Sequence, residues 1–159
     1  MAAKKSKKAA SGDKQFRNRR AFYEFHIDEK VECGIVLCGS EVKSIREGKI
    51  NLADSYARIV DGEIYLLKCH ISEYKNATHF AHEPLRKRKL LLHRREIKKL
   101  ERKVEAKGYA LIPLRVYFNK RGLAKVELGL GRGKKLHDKR ATLKDKDSER
   151  EVRRELSRY

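Results

Sequence analysis

The stretch YALIPLRVYFNKRGLAKVELGLG, residues 109–131, decides the fold class. Ala110, Ile112, Leu114, Val116 and Phe118 recur at period two, as a strand with one buried face requires. Asn119 to Gly122 turn the chain, and Ala124, Val126, Leu128 and Leu130 return at the same period. Pro113 has no amide hydrogen for a ladder bond, so it favours an edge position or a bulge. The pair reads as an antiparallel hairpin.

Working upstream, Val31, Cys33, Ile35 and Leu37 share one face of a strand within 23–38. SEVKSIREGK, residues 40–49, reads as a short helix capped at Ser40, with Val42 and Ile45 on one stripe and Gly48 as its stop. Two apolar runs flank Asp61-Gly62, the signature of a tight hairpin turn. A short strand at 89–92 follows the basic loop PLRKRK. Ile97, Leu100 and Val104 then mark one stripe of a helix that Gly108 ends. About six antiparallel strands with two or three helices fit a mainly β protein, a small closed or nearly closed barrel.

The ends differ from this middle. Residues 1–15 hold almost no apolar side chain and read as a disordered basic arm, leaving 16–130 as the folded domain. Only six of residues 131–159 are apolar, too few for a second core. Within this basic tail, Ser148 to Glu151 match a capping box, and Val152, Leu156 and Tyr159 follow on one face. A helix of about eleven residues is marginal in water, so the tail reads as disordered alone and helical on a binding surface.

The 159 residues carry 41 Lys and Arg against 22 Asp and Glu, a net charge of +19. So large an excess calls for a polyanion, most commonly nucleic acid, with a membrane surface or an acidic protein next. No segment approaches the roughly 18 apolar residues of a membrane span. Three cysteines do not make a disulfide framework, which points to a reducing, cytoplasmic setting.

Catalytic and metal chemistry find little footing. His137 beside Asp138 lacks a core to hold it as a general base. Cys33, Cys38 and Cys69, with His70, have no zinc spacing, and the cysteines read as core residues, while His79 and His82 read as surface-loop residues. GLGRGKK lacks the Walker spacing. No cofactor, metal or enzyme activity is expected. What remains is basic surface with interleaved aromatics: Arg17, Arg19 and Arg20 among Phe16, Phe22 and Tyr23, then PLRKRK and RREIKKLERK. These rings could stack on exposed bases or pack in the core, and the pattern leaves both open.

Several motifs, in this order, resemble the SsrA-binding protein family (small protein B): NRRA, GIVLCGSEVKSIREGK, NLADSYARI, RKLLLHRREI and GRGKKLHDKR, spanning about Asn18 to Arg140. The resemblance implies an oligonucleotide-binding-fold (OB-fold) barrel acting as an RNA-binding adaptor in trans-translation. Such an adaptor grips the tRNA-like domain of transfer-messenger RNA and brings it to stalled ribosomes. The tail would enter the empty mRNA channel at the small-subunit decoding centre. Elongation factor Tu and alanyl-tRNA synthetase would be indirect partners through the RNA, and the protein is expected to be a monomer.

Carried onto this chain, Asn18, Glu32 and Leu91 take the family's RNA-binding positions, with Arg19, Arg20 and Lys89 added from their charge. Gly133, Lys134, Lys135, His137, Asp138, Lys139 and Arg140 take the ribosome-binding tail positions. Ser148 stands about where relatives often carry a Trp. The alternative is a ribosomal or ribosome-assembly protein that binds rRNA permanently.

Overall fold

The structure, a computed structural model, describes residues 15–74 and 81–156, with backbone alone for Lys107, Leu136, His137, Thr142, Asp145, Lys146 and Glu149. The expected basic arm, apart from Gln15, lies outside the described residues, as do His79 and Tyr159. In chain order the elements are β1 (Gln15–Arg17), α1 (Arg19–Glu24), β2 (Phe25–Ile35), α2 (Gly39–Arg46), β3 (Ile50–Asn51), β4 (Tyr56–Val60) and β5 (Glu63–Leu67). They continue with β6 (His70–Ile71), β7 (Arg88–Leu91), α3 (Arg94–Lys107), β8 (Ala110–Phe118), β9 (Ala124–Gly133) and α4 (Leu136–Leu156).

Strands β8, β4, β5, β7, β2 and β9 pair in that order, and a β8–β9 ladder closes the ring. This is an OB-like barrel of six antiparallel strands. β1 pairs with the C-terminal half of β8, while β4 meets that strand only at Leu111. β3 and β6 form a separate two-stranded ribbon. The barrel interior is aliphatic: Ile45, Ile64, Leu66, Ile71, Val116 and Val126 are fully buried. Closure removes the exposed strand edges that would otherwise recruit other chains.

Local chemistry explains most boundaries. Asp61 (φ 52°) and Gly62 (φ 72°) both adopt left-handed backbone, the requirement of a two-residue type I′ hairpin. The Glu96 carboxylate accepts from the His93 amide at 2.9 Å and starts α3, and Gly108 ends it in left-handed geometry. α2 begins one residue before the expected cap. Its entry is fixed by Glu41, which accepts from the Cys38 amide at 2.7 Å, rather than by Ser40.

The deciding hairpin differs from its sequence pattern in one respect. β9 keeps Val126, Leu128 and Leu130 in the core throughout. In β8 the register slips between Pro113 and Arg115, so the expected single face divides. Val116 and Phe118 pack with the barrel core, whereas Ala110, Ile112 and Leu114 form a second cluster with Ala21, Phe25 and Ile27 on the other side of the strand. One extra residue at a bulge exchanges the two faces of every residue beyond it. β2 has a matching irregularity between Ile27 and Glu29. β9, flanked by the two bulged strands, presents Gly131 to this second cluster; a Cβ there would lie 2.6 Å from the His26 carbonyl oxygen.

The last helix also differs from expectation. α4 starts at Leu136, not at Ser148, whose hydroxyl donates to the Lys144 carbonyl at 3.0 Å within the helix. No Gly or Pro interrupts 136–156, and Asp138 in the first turn with Arg153 and Arg154 in the last complements the helix dipole.

Candidate RNA interface

Asn18 organises the entry to the barrel. It is buried, and its side-chain oxygen accepts from the Ala21 amide at 3.2 Å, capping α1. Its NH₂ group donates to the carbonyls of Leu52 (2.9 Å) and Pro113 (3.0 Å). The residue thereby ties α1 to the β8 bulge and to the loop after β3. Arg19 and Arg20 project outward from this anchor. Arg20 pairs with Glu24 at 2.6 Å and Asp54 at 2.8 Å. Beside them a groove of about 500 Å³ runs between residues 15–20 and 50–53. Replacing Asn18 by Ala removes the cap and both NH₂ donations, although the Leu52 carbonyl keeps the Ser55 hydroxyl at 2.7 Å, so unfolding free energy is expected to fall by about 1–3 kcal/mol in denaturant titrations.

The outer wall of the barrel holds the next residues. Gly34 pairs with Leu91 across β2 and β7, so Glu32, two residues away on the same face, lies beside Leu91. Leu91 is 52% exposed, unusual for a strand leucine and available for contact. Glu32 accepts from the Tyr117 hydroxyl and pairs with Lys125 at 3.5 Å. The Tyr117 hydrogen bond and the Lys125 charge hold the Glu32 carboxyl below its ordinary range, so it is ionised at neutral pH. Burial, then the Glu32 carboxylate, pushes Tyr117 up to about 12, keeping its hydroxyl a donor. Lys89, on β7, pairs with Glu63 and remains partly exposed.

The structure thus brings Glu32, Leu91 and Lys89 onto one wall and puts Asn18 beneath the surface as an anchor. It also withdraws part of the expected basic cluster. Arg88 is fully buried, its Nε 2.8 Å from Glu41, and Arg86 bonds the same carboxylate at 2.5 and 2.7 Å. These arginines serve the core, leaving Lys87 and Lys89 for the surface. The aromatic question divides likewise: Phe16 and Phe25 pack inward, while Phe22 is exposed with the Lys30 ammonium 5.7 Å from its ring centroid.

Among the candidate metal ligands, Cys33 and Cys69 are core thiols pushed up by burial to about 12 and about 11. Cys38 is exposed, contrary to the core reading. His82 is buried, not in a surface loop position; its nitrogens meet the Ser40 hydroxyl at 2.9 Å and the Ile71 carbonyl at 3.1 Å. Such internal hydrogen-bond partners are what a buried imidazole requires, and sequence spacing alone could not locate them.

The tail leaves the barrel on a fixed footing. β9 runs through Gly133, paired with Phe25 of β2, and the Lys134 amide donates to the Glu24 carbonyl at 2.8 Å. The Lys134 ammonium donates to the Phe22 carbonyl at 3.1 Å. Lys135, Asp138 and Arg140 are exposed at the start of α4, and His137 follows Leu136 in its first turn. α4 lies against α1. Among the described residues no helix is long and apolar enough to cross a membrane.

Comparison with known proteins agrees with this architecture. The family model described as SmpB protein matches residues 15–158. The SsrA-binding protein of Symbiobacterium thermophilum is 53% identical over 139 residues, covering 87% of this chain and 88% of the relative. That of Moorella thermoacetica is 54% identical over 139 residues, covering 87% and 90%. A solved chain from work on tmRNA-SmpB and its journey to the centre of the bacterial ribosome superposes with a TM-score of 0.65. It is 51% identical, with 77% of this chain and 85% of that chain covered. With the match spanning both the barrel and α4, the chain belongs to the SmpB family of SsrA-binding proteins.

Proposed function

We propose that this protein is an RNA-binding adaptor of trans-translation. It binds the tRNA-like domain of transfer-messenger RNA on the barrel and accompanies it to stalled ribosomes. The observation that carries the reading is the juxtaposition of an ionised carboxylate, Glu32, with an exposed leucine, Leu91, on a wall of a barrel whose relatives are SsrA-binding proteins. Glu32 accepts hydrogen bonds from base amino groups, and Leu91 packs on an unstacked base or sugar. Lys89, Arg19 and Arg20 neutralise phosphates, and Asn18 acts by holding α1 in place.

Lys134, Lys135, Lys139 and Arg140 meet small-subunit rRNA near the decoding centre, where His137 stacks or hydrogen-bonds without acting as a base. Gly133 leaves room for close backbone approach, and Asp138 favours the first turn of α4. The helix occupies the mRNA channel when no message fills it. Elongation factor Tu and alanyl-tRNA synthetase act on the same RNA, and no chemical step belongs to this chain.

Sequencing the RNA that co-purifies with the protein tests this reading. One tRNA-like RNA, with protein substoichiometric to ribosomes, is the expected result. Retention on isolated subunits after a high-salt wash, with rRNA as the recovered RNA, would instead identify a permanent ribosomal component. Glu32→Gln with Leu91→Ala is expected to weaken binding of the tRNA-like RNA at least about tenfold, on the order of 1.4 kcal/mol, in a filter-binding titration.

A further inference from the structure

α3 connects β7 to β8, which are not neighbours in the ring, so the helix crosses an end of the barrel instead of lying on its wall. Ile97 and Leu100 are buried in the core beneath it. Its outer side carries Arg95, Lys98, Lys99, Arg102 and Lys103, lining a shallow groove of about 430 Å³. Glu29 clamps two of these, meeting the Lys99 ammonium at 3.1 Å and the Lys103 ammonium by a shorter contact. Arg95, Lys98 and Arg102 are exposed and form no ion pair among the described residues.

Helix formation does not account for this pattern. Arg94 and Arg95 occupy the first two helical positions, where the dipole disfavours cations. Arg95, Lys98 and Arg102 are spaced three and four apart, so like charges face one another along one stripe. Glu96 offsets the first turn only in part, and Glu101 and Glu105, three residues beyond Lys98 and Arg102, form no ion pair with them among the described residues. Cations left unpaired against the local rules mark functional surface. The face has no aromatic side chain, so it lacks the stacking platform that single-stranded RNA requires. A double helix keeps its bases stacked and presents phosphates and 2′-hydroxyls, so it needs no such platform.

We propose that the outer face of α3, carried by Arg95, Lys98 and Arg102, is a second RNA-binding surface that docks the phosphate backbone of an RNA duplex. It is separate from the wall bearing Glu32 and Leu91. The proposal starts from the RNA-adaptor reading and adds a second, sequence-independent contact at the barrel end.

The test is the full chain carrying Arg95→Gln, Lys98→Gln and Arg102→Gln, titrated by fluorescence anisotropy against a labelled RNA duplex of about 16 base pairs and arbitrary sequence. Between roughly 50 and 200 mM salt, the slope of log affinity against log salt is expected to fall in magnitude by about three, one for each lost phosphate contact. The thermal midpoint is expected to stay level or rise, because like-charge repulsion is relieved, so a folding defect is distinguishable from a binding defect.

An unchanged slope overturns the proposal. So does displacement of the duplex from the wild-type face by polyglutamate at lower charge concentration than by unlabelled duplex, which would mark an acidic protein as the partner. Glu32→Gln with Leu91→Ala, measured in parallel on the tRNA-like RNA, separates the two readings. Loss there with an unchanged duplex slope in the α3 variant defeats only this proposal. The reverse pattern defeats the assignment of the wall and leaves the α3 surface standing.

Discussion

Ending the chain at Lys135 is expected to leave affinity for the tRNA-like RNA unchanged and to reduce peptide tagging on stalled ribosomes to background. The position of the cut matters. Gly131, Arg132 and Gly133 pair with Ile27, His26 and Phe25, so stopping at Leu130 would strip the last rungs of the β2–β9 ladder. Lys134 then fastens the exit by its amide to Glu24 and by its ammonium to Phe22. A cut after Lys135 keeps every one of these contacts and removes only α4. The outer wall with Glu32 and Leu91 is built from strands that the cut leaves intact.

A second variant isolates helix formation from charge. Ala141→Pro removes an amide from the interior of α4 and costs the helix about 3 kcal/mol while retaining every basic residue. It is expected to bind the RNA normally and to tag poorly. Normal tagging by the shortened chain would sink the role given to the tail, and normal tagging by the proline variant would show that charge suffices without the helix.

The largest effect on stability is expected at Glu41. This carboxylate is fully buried and takes hydrogen bonds from Arg86, Arg88 and the Cys38 amide. Arg88, equally buried, also donates to the carbonyls of Cys69 (2.6 Å), Arg86 (3.0 Å) and Pro84 (3.0 Å). The cluster joins α2, β7 and the loop before it. Glu41→Gln keeps the shape but leaves the Arg88 charge uncompensated, which is expected to destabilise the fold by about 3–5 kcal/mol. A domain of this size has only about 5–15 kcal/mol in total. The exposed Glu83→Gln serves as control, with a change within about 0.5 kcal/mol.

Acid should erase the difference. Burial pushes the Glu41 carboxyl up, but Arg86, the Cys38 amide and Arg88 together outweigh it and hold the folded value below the ordinary 4.5. Its contribution is therefore complete above about pH 4.5 and lost as pH falls through the lower folded value. Denaturant midpoints of wild type and Glu41→Gln are expected to converge below that pH. A gap that persists undiminished to acid would assign the loss to packing, not to charge.

Much of this architecture could be read before any coordinates. The period-two runs, Asp61-Gly62 and the stripe of α3 are local signals, and local backbone chemistry realised them. Pro113 announced an edge or a bulge, yet not that the bulge would send Ile112 and Leu114 to a second cluster under α1. Glu41 and Arg88, 47 residues apart, look like any surface charges in a chain this basic. Only their meeting in the core shows that PLRKRK contributes arginines to stability as well as lysines to the surface.

By itself, the sequence determined a basic, mainly β barrel with an apolar-poor tail, because periodicity, turn chemistry and net charge act over a few residues or over the whole chain. The tertiary structure alone decided which charges face inward, that Glu32 stands beside Leu91, and that Asn18 anchors from beneath. It also left three cations of α3 uncompensated at the barrel end. Those outcomes depend on strand register and ring closure, which bring together residues far apart in sequence. A shift of one residue at a bulge is enough to exchange core for surface.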